Sequence, residues 1–518
     1  MNAEPGQVKI NPWLITVAVV LPTFLEVLDT TVVGVALPTI AGNLSATISQ
    51  ATWIQTSYLI SNAIVLPASA WFSSFFGRKN FLMACIAIFT LASLACGTAP
   101  NLTLLIIASI IQGAGGGALQ PISQAILMET FPPAKRGLAM AAYAFAAVFG
   151  AVVGPVLAGW LTENYSWRWI FYINIPCGLI ALLMVQQFVS DPDYIRKAKP
   201  GRIDAVGFGF LALWLGTLQT VLNKGQNEDW FASSLIRWLT AISIASLIIF
   251  VVRELRTRNP ITDLRVLADR NFTSSTILIS IIFFVLYGIM NLQPLLLQTL
   301  MGYTAYSSGL AQVSRGLGVM IMTPLVGILM GKVSNRLLIG VGLLLTTISS
   351  LMMGNFSLDI AMSACFWPNL LQGMGVILAS IPLMTVAMAT IRNEQMGNAT
   401  GLFALARNLA GSIGIAAAVT MVTRGAQAHQ ANLVTHLTPY DPVYQNTVQT
   451  AQAVLSPSVG AAQANPGVMG TIYKSLLLQS NMQAYADEFR WLALFCFLSI
   501  PLVLLFKKAQ GKKDVMMH

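Results

Sequence analysis

Two acidic residues, Glu26 and Asp29, lie well inside a long apolar segment near the start of the chain. They are three residues apart, so a helix presents both carboxyl groups on one face. Burial in a low dielectric and repulsion between two carboxylates both favour the neutral form of at least one of them. A carboxyl group in such a setting can take up and release a proton. We therefore predict that Asp29 and Glu26 carry protons; the alternative is that one carboxyl caps a broken helix or pairs with an arginine.

Other polar residues also occur at depth in apolar segments, where they are costly and usually functional. Arg315 and Arg407 are the two basic residues in such positions, and either is a candidate charge partner for a carboxylate. Amides are also present in both halves of the chain, at Gln112, Gln120, Asn291, Gln293 and Gln372. Some amides in apolar helices bond helices to one another and others line a hydrated cavity. The sequence alone does not separate these two classes.

The composition excludes several kinds of protein. Only 9% of the 518 residues are charged and 56% are hydrophobic, whereas a soluble globular protein has about 25% charged residues. The three histidines lie outside the apolar segments, the five cysteines have no metal-ligand spacing, and no GxxxxGK[ST] motif occurs. We predict that the chain is not a soluble enzyme and has no metal site, no cofactor and no ATP-driven activity.

Fourteen apolar stretches are long enough to cross a bilayer as helices, which takes roughly 20 residues each. They are about residues 13–37, 53–76, 80–98, 102–128, 137–161, 169–189, 205–223, 235–252, 273–298, 305–330, 336–356, 363–391, 400–423 and 489–507. Apart from Arg315 and Arg407, the Lys and Arg residues lie between the stretches or near their ends, and 21 fall on one side and 6 on the other. The positive-inside rule then places both termini in the cytoplasm. The net charge of +10 therefore reflects topology and attraction to anionic lipid, not nucleic-acid binding. The prediction is an all-α, multi-pass inner-membrane protein.

The spans divide as six, two and six. Longer connections at 190–204 and 253–272 flank the middle pair, so we predict a six-helix bundle at 1–190, two inserted helices at 191–260 and a second bundle at 261–518. Span four contains IQGAG at 111–115 and span twelve contains LQGMG at 371–375, which suggests an internal repeat of the kind that transporters have. The alternative is two unrelated packing faces. Residues 424–488 are predicted to be a polar external loop.

Four motifs together resemble one family. Residues 28–38 read LDTTVVGVALP, residues 150–159 read GAVVGPVLAG, residues 167–176 read WRWIFYINIP, and residues 407–414 read RNLAGSIG. These resemble the major facilitator superfamily, and within it the fourteen-span drug:proton antiporters of the EmrB/QacA type, closest to the EmrB branch. The resemblance runs over essentially the whole chain. It implies the major facilitator fold, with two six-helix bundles and two inserted helices.

The resemblance also implies a function and a site. It predicts a multidrug efflux transporter that exchanges amphipathic or hydrophobic compounds for protons by alternating access. Residues 150–159 look like the antiporter motif, in which Gly150, Gly154, Pro155 and Gly159 would allow a tight, bendable contact between halves. A substrate cavity is expected between spans one, four, nine and twelve. Its expected lining is Gln112, Gln120, Asn291, Gln293 and Gln372, with Phe284 and Tyr287 as aromatic faces.

Two departures from the family pattern bear on mechanism. Ser109 stands where the family usually has an arginine that is tied to proton coupling, and Ser74 stands where an aspartate usually forms part of a charge latch. Without the arginine, coupling by this chain must use Asp29, Glu26 or both.

The expected partners are small amphipathic substrates, protons, membrane lipid and, by likeness to the EmrB branch, a periplasmic adaptor that docks on 424–488 and an outer-membrane channel. Two alternative functions stay open. One is a dedicated exporter of one amphiphile, such as a fatty acid, bile salt or siderophore. The other is a non-transporting membrane sensor or scaffold.

Overall fold

The computed structural model describes residues 11–132, 135–191, 204–257, 260–330, 332–392, 395–435, 437–438, 440, 442–459 and 461–505. Within them the long elements are all α-helices, which confirms the predicted all-α fold. In hydrocarbon, a helix satisfies every backbone hydrogen bond within its own segment. The two predicted domain boundaries adjoin residues 192–203 and 258–259, which lie outside the described part of the chain.

The first six spans are built from eight helices. They are α1 (Pro12–Asn43), α2 (Ile48–Phe76), α3 (Arg78–Thr98), α4 (Leu102–Gly116), α5 (Leu119–Thr130), α6 (Arg136–Asn164), α7 (Trp169–Tyr172) and α8 (Asn174–Phe188). Polar caps fix several of their starts: the Asn11 side chain accepts from the Trp13 amide, and Thr47 and Gln50 form a capping box before α2. The α1 helix packs against α6 and α8, and α4 packs against α2 and α3.

Two helices follow before the second bundle. They are α9 (Ala205–Lys224) and α10 (Ser234–Arg256), which pack as a pair. The α9 helix also contacts α2 of the first bundle, where Lys224 Nζ donates to Thr52 Oγ1 at 3.4 Å. On the other side, Gln219 Nε2 donates to Ser412 Oγ in the second bundle at 3.1 Å. The inserted pair therefore touches both bundles at one edge of their interface.

The second bundle continues the alternation. Its helices are α11 (Arg270–Leu295), α12 (Ala305–Leu329), α13 (Asn335–Met353), α14 (Phe366–Ala389), α15 (Met396–Val434), α16 (Pro442–Val459) and α17 (Ala461–Ser499). The α11 helix packs on α15, and α14 packs on α12 and α13, which mirrors the first bundle. Between the bundles, α6 contacts α12, and α2 and α5 contact α15.

Matched glycines support the internal repeat. A Cβ atom on Gly113 of α4 would overlap the Tyr58 carbonyl oxygen of α2, and one on Gly373 of α14 would overlap the Arg315 carbonyl oxygen of α12. Two residues later, Gly115 meets the backbone of α3 and Gly375 meets the backbone of α13. The motifs at 111–115 and 371–375 thus make the same contacts in their own bundles, and Tyr58 and Arg315 occupy equivalent positions.

Thirteen helices in the described residues are long and apolar enough to cross a membrane. They correspond to the first thirteen predicted spans. The fourteenth prediction, 489–507, begins in the last part of α17, where Phe489, Leu492, Ala493 and Cys496 are buried, and runs past the described residues. The count is consistent with fourteen spans.

Residues 424–488 differ from the prediction of a polar loop. They are largely helical: α15 continues to Val434, α16 follows, and α17 begins at Ala461. At 1.5 Å per residue, each 39-residue helix is about 58 Å long, so it extends well beyond a hydrocarbon core of about 30 Å. The reason is both local and tertiary: Ala, Gln and Met favour helix, and small residues let α15 and α17 pack on each other, as where Gly425 faces Ala484. The prediction of a loop rests on the small number of large apolar residues in 424–488, and that number does not indicate whether the segment is helical.

Candidate functional site

Asp29 lies in the middle of α1 and is 1% exposed. Its Oδ1 atom accepts hydrogen bonds from Gln112 Nε2 at 2.9 Å and from Asn174 Nδ2 at 2.7 Å. Both amides also reach Ser93 Oγ, at 3.3 and 3.0 Å, and this hydroxyl donates to the Phe171 carbonyl. Asp29 is therefore held inside the first bundle by neutral donors from α4 and α8.

Glu26 lies one turn earlier on α1 and is 4% exposed. Its Oε1 atom accepts from Asn62 Nδ2 of α2 at 3.1 Å, and its Oε2 atom accepts from Gln120 Nε2 of α5. Gly116 lies against this group: a Cβ there would overlap the Tyr58 hydroxyl oxygen at 2.7 Å and would touch Glu26 Cγ at 3.4 Å. The two acids are thus adjacent on one helix, but different helices supply their donors.

Gln120 connects Glu26 to the second bundle. Its Oε1 atom accepts from Arg407 Nη2 of α15 and, at 3.3 Å, from the Tyr143 hydroxyl. The Arg407 guanidinium also lies over the Phe283 ring, 5.1 Å from its centroid. Arg407 therefore reaches Glu26 through one amide and does not bond to it directly. This chain of contacts crosses the interface between the two bundles.

Arg315, the second candidate charge partner, forms its hydrogen bonds with residues of the second bundle and not with Asp29 or Glu26. It is 3% exposed on α12 and donates to three amide oxygens, on Gln312, Gln293 and Asn369. The structure therefore brings Arg315 together with the predicted cavity residue Gln293, and pairs it with neutral groups.

The other predicted cavity residues differ from one another in burial and in the residues that they contact. Gln372 is fully buried on α14, and neither of its side-chain polar atoms has a hydrogen-bond partner. Asn291 is half-buried on α11. Phe284 packs against Phe495 of α17, with ring centroids 5.2 Å apart. Tyr287 contacts Phe283, with centroids 5.8 Å apart, next to the Arg407 contact. Phe283, which the sequence reasoning did not select, is thus closer to the contact between bundles than Phe284.

Ser109 lies beside Asp29 in place of the arginine that the family pattern suggests. Its hydroxyl donates to the Leu105 carbonyl at 2.9 Å within α4. A small cavity lies between Ser109 and Asp29, and its lining includes Thr30, Gln55, Tyr58, Gln112 and Phe171. The serine leaves space where a longer side chain would project.

The antiporter motif packs mainly within its own bundle. A Cβ on Gly150 would lie 3.0 Å from the Phe24 carbonyl oxygen, and one on Gly154 would overlap Thr31, both on α1. A Cβ on Gly159 would meet nothing within 4 Å. Pro155 and its neighbour Val156 approach the second bundle at Gly309. The expectation that all the motif glycines form the contact between halves is therefore wrong for Gly150 and Gly154, because they face α1.

Two polar features escaped the sequence reasoning. Asn174 lies in the motif at 167–176 but was not selected, although an amide in an apolar span is a signal that could have found it. Arg78 pairs with Glu129 of α5 at 2.5 Å, and both side chains are largely buried. Only the tertiary contact reveals this pair, since 51 residues separate the two positions. In the described residues, no group of three or more His, Cys, Asp or Glu side chains could hold a metal ion.

Comparison with known proteins identifies the family. The sequence profile of the Major Facilitator Superfamily matches residues 19–415, which is more than half of the chain. The chain belongs to the Major Facilitator Superfamily. The "Multidrug export protein EmrB" of Escherichia coli (strain K12) is 35% identical over 487 residues, 94% of this chain and 93% of that protein. The "Fatty acid resistance protein FarB" of Neisseria gonorrhoeae is 36% identical over 433 residues, 84% of this chain and 85% of that protein.

Solved structures agree at the level of the fold. The human organic anion transporter MFSD10 gives a TM-score of 0.58 at 13% identity, covering 95% of this chain and all of that one. The proton:xylose symporter XylE gives a TM-score of 0.58 at 15% identity, and the match covers 95% of this chain and 96% of that one. The predicted resemblance is therefore confirmed: this is an EmrB-type member of the Major Facilitator Superfamily, a multi-pass membrane transporter and not an enzyme.

Proposed function

We propose that this transporter exports amphipathic or hydrophobic compounds across the bacterial inner membrane in exchange for protons, by alternating access. Its similarity to a multidrug export protein over nearly the whole chain supports the cargo class. The excess of basic residues on one side supports an orientation with both termini in the cytoplasm.

The observation that carries the proposal is the contact chain Glu26–Gln120–Arg407. Protonation of Glu26 removes the charge that Gln120 Nε2 donates to, and charge-assisted hydrogen bonds are about twice as strong as neutral ones. Gln120 then holds Arg407 less firmly across the interface. Proton uptake in the first bundle thereby weakens one contact with the second bundle, which is the coupling that exchange requires.

Asp29 has a complementary part in this proposal. Its hydrogen bonds come from within the first bundle, so its protonation loosens α4 and α8 around α1 and leaves the interface unchanged. A small cavity lined in part by Thr30 and Ser109 adjoins its carboxyl group. Asp29 is thus the main proton-binding residue, and Glu26, one turn earlier on α1, shares the proton and passes the change in charge to the second bundle through Gln120.

The test is proton flux in proteoliposomes that hold the full-length protein. A cationic lipophilic dye and an anionic lipophilic dye are added in separate experiments. A pH-sensitive fluorophore inside the vesicles reports the proton movement that each dye drives. The wild type should show flux and the Asp29→Asn/Glu26→Gln double variant should show none. Glu163→Gln, which changes an exposed acid at the end of α6, is the matched control and should behave as wild type. Undiminished flux in the double variant would refute the coupling; absence of flux in the wild type over a broad panel would favour a sensor or scaffold.

A second candidate function is the dedicated export of one amphiphile. The similarity to a protein named for fatty acid resistance favours it. The same vesicles separate the two functions, because a multidrug exporter should respond to chemically unrelated compounds and a dedicated exporter to a single class.

We also propose that a periplasmic adaptor docks on the projection formed by α16 and the ends of α15 and α17, and that an outer-membrane channel completes the pump. The projection is pinned at its base, where His429 Nε2 lies 2.9 Å from Asp487 Oδ2 and Arg490 donates to the same carboxylate. Tyr440, between α15 and α16, is 93% exposed. Aromatic residues are typical anchors of protein–protein interfaces, so a helical projection with an exposed tyrosine fits an adaptor.

A further inference from the structure

The second bundle contains a buried cation that has only neutral partners. Arg315 donates to Gln312 Oε1 at 3.0 Å, to Gln293 Oε1 at 3.0 Å and to Asn369 Oδ1 at 2.8 Å. None of the ion pairs found among the described residues includes Arg315. A guanidinium in a low-dielectric interior without a carboxylate is costly. Its retention at this depth calls for an anion that is present for part of the transport cycle.

Hydrogen-bond donors around Arg315 are also unused. Its own Nε–H has no partner, and the Gln293 Nε2 group has none apart from the neighbouring Cys365 thiol, a weak acceptor. Gln372 lies one helical turn from Asn369 on α14, and its amide group is fully buried with no partner. Asn369 is oriented by its own bond to the Ala311 carbonyl at 2.9 Å, so its oxygen points to Arg315. Buried polar groups in native proteins nearly always have partners, so this excess of donors marks a site for an acceptor.

The first bundle shows what such donors bind when an anion is present. Gln112 has the position in α4 that Gln372 has in α14, and Gln112 donates to the Asp29 carboxylate. Tyr58 and Arg315 are equivalent by the contacts of Gly113 and Gly373. The first bundle therefore surrounds carboxylates with amide donors, while the second has the amide donors and a cation but no carboxylate of its own at this place.

We propose that Arg315, together with the amides of Gln293 and Gln372, binds the carboxylate of an anionic amphipathic substrate. The inference rests on the proposed export function and names one substrate class for it. A carboxylate would accept from Arg315 Nε–H and from the free amide groups, which supplies the missing negative charge. The α12 and α14 helices both contact α6, so a compound that lies between the bundles can approach this site when they separate.

The test uses three probes with the same twelve-carbon chain. They are radiolabelled dodecanoate, neutral dodecanol and cationic dodecyltrimethylammonium, measured for binding to full-length protein in nanodiscs. Arg315→Gln should weaken dodecanoate binding about tenfold or more, the loss expected for a charge-assisted hydrogen bond, and leave the other two probes unchanged. Arg315→Lys keeps the charge and should restore part of the affinity. Gln372→Leu should cause a smaller, carboxylate-selective loss.

The matched control is Arg237→Gln, which removes an exposed arginine from α10 and should bind all three probes as wild type does. Equal weakening for all probes in Arg315→Gln, with no recovery in Arg315→Lys, would show a structural role and overturn the proposal. Absence of dodecanoate binding to the wild type would also overturn it. If dodecanoate does not bind but the cationic probe still drives proton flux, the carboxylate site is refuted and the export function stands. If dodecanoate binds in an Arg315-dependent manner but no probe drives flux, the export function is refuted and the carboxylate site stands.

Discussion

At the scale of single residues, the acids of α1 depend on amides for their surroundings. Asp29 and Glu26 each accept from two neutral donors, on Gln112, Asn174, Asn62 and Gln120. Amide donors stabilise a carboxylate without an ion pair, and they can turn away when the carboxyl is protonated. A group held in this manner changes charge more readily than one that a neighbouring arginine keeps ionised. The replacement of the family arginine by Ser109 fits this arrangement.

The two acids should differ when they are neutralised separately. Asp29→Asn should abolish proton-driven efflux while the protein still inserts and binds ligand, because the amide retains the size of the carboxyl but cannot release a proton. Glu26→Gln should cause a smaller loss or a change in cargo preference, because it acts through Gln120. Rates of substrate-driven proton flux in proteoliposomes measure both effects. Equal and complete losses in the two single variants would contradict the division of roles.

A separate residue-scale prediction concerns the ion pair of Arg78 and Glu129. Removal of one partner leaves a largely buried charge, so Arg78→Gln should lower the free energy of unfolding by about 3 kcal/mol. The double variant Arg78→Gln/Glu129→Gln should lose less than the sum of the single changes. Thermal unfolding of the purified protein in detergent, for wild type, both single variants and the double variant, provides the cycle. Additive losses would show that the pair has no net coupling.

At the scale of the helices, glycine decides which surfaces can meet. Span four is interrupted between α4 and α5. Gly113 in α4 and Gly117 at the interruption bring the span against the backbone carbonyls of Tyr58 and Asn62 on α2. The same principle holds in α6, where Gly150 and Gly154 face α1. Small residues permit such close packing in membranes, where van der Waals contact is the main attraction between helices. The antiporter motif therefore fixes the helix that carries both acids.

The antiporter motif offers a matched pair of substitutions. Gly154→Ala should destabilise the protein by about 1–3 kcal/mol, the usual cost of overpacking, because the added methyl group overlaps Thr31 on α1. Gly159→Ala should be neutral, since its methyl group would meet nothing within 4 Å. The melting temperature in detergent and the transport rate should both fall only in the first variant. A loss in Gly159→Ala as large as that in Gly154→Ala would mean that the motif acts through contacts formed in another conformation.

At the scale of the whole molecule, two additions extend the pair of six-span bundles. The α9–α10 pair lies at one edge of the interface and bonds to both bundles. The second addition is the projection of α15, α16 and α17, whose length exceeds what a bilayer needs. A soluble partner is the kind of molecule that such a projection can reach.

The docking proposal predicts a separation of transport from efflux in cells. Replacement of residues 430–482 by a short Gly/Ser turn removes the projection but keeps the contact of His429 with Asp487. This variant should retain proton-coupled transport in proteoliposomes and lose efflux in cells that have an outer membrane. Tyr440→Ala should reduce efflux in cells without any effect in vesicles. Normal efflux in the shortened variant would refute docking at this place.

The sequence by itself determined the membrane architecture. Spans are visible in sequence because hydropathy and length are local properties, and a bilayer admits a chain of this kind only as helices. It also determined which side chains are exceptional, since Asp29, Glu26, Arg315 and Arg407 are charges at depth whatever their neighbours are. The four motifs at 28–38, 150–159, 167–176 and 407–414 were together sufficient for the family.

Only the tertiary structure decided the partners of these side chains. Gln112 and Gln120 look alike in sequence, yet one holds Asp29 within a bundle and the other connects Glu26 to Arg407 across the interface. Arg315 forms hydrogen bonds with amides, although its sequence position was equally compatible with a carboxylate partner. Gly154 faces α1, although the prediction placed it against the other bundle. The helical form of 424–488 likewise depends on the support that α15 and α17 give each other. The physical reason is the same in each case: the partner of a polar group is set by the rotation and depth of one helix relative to another, which depend on the packing of the whole bundle and not on any local pattern.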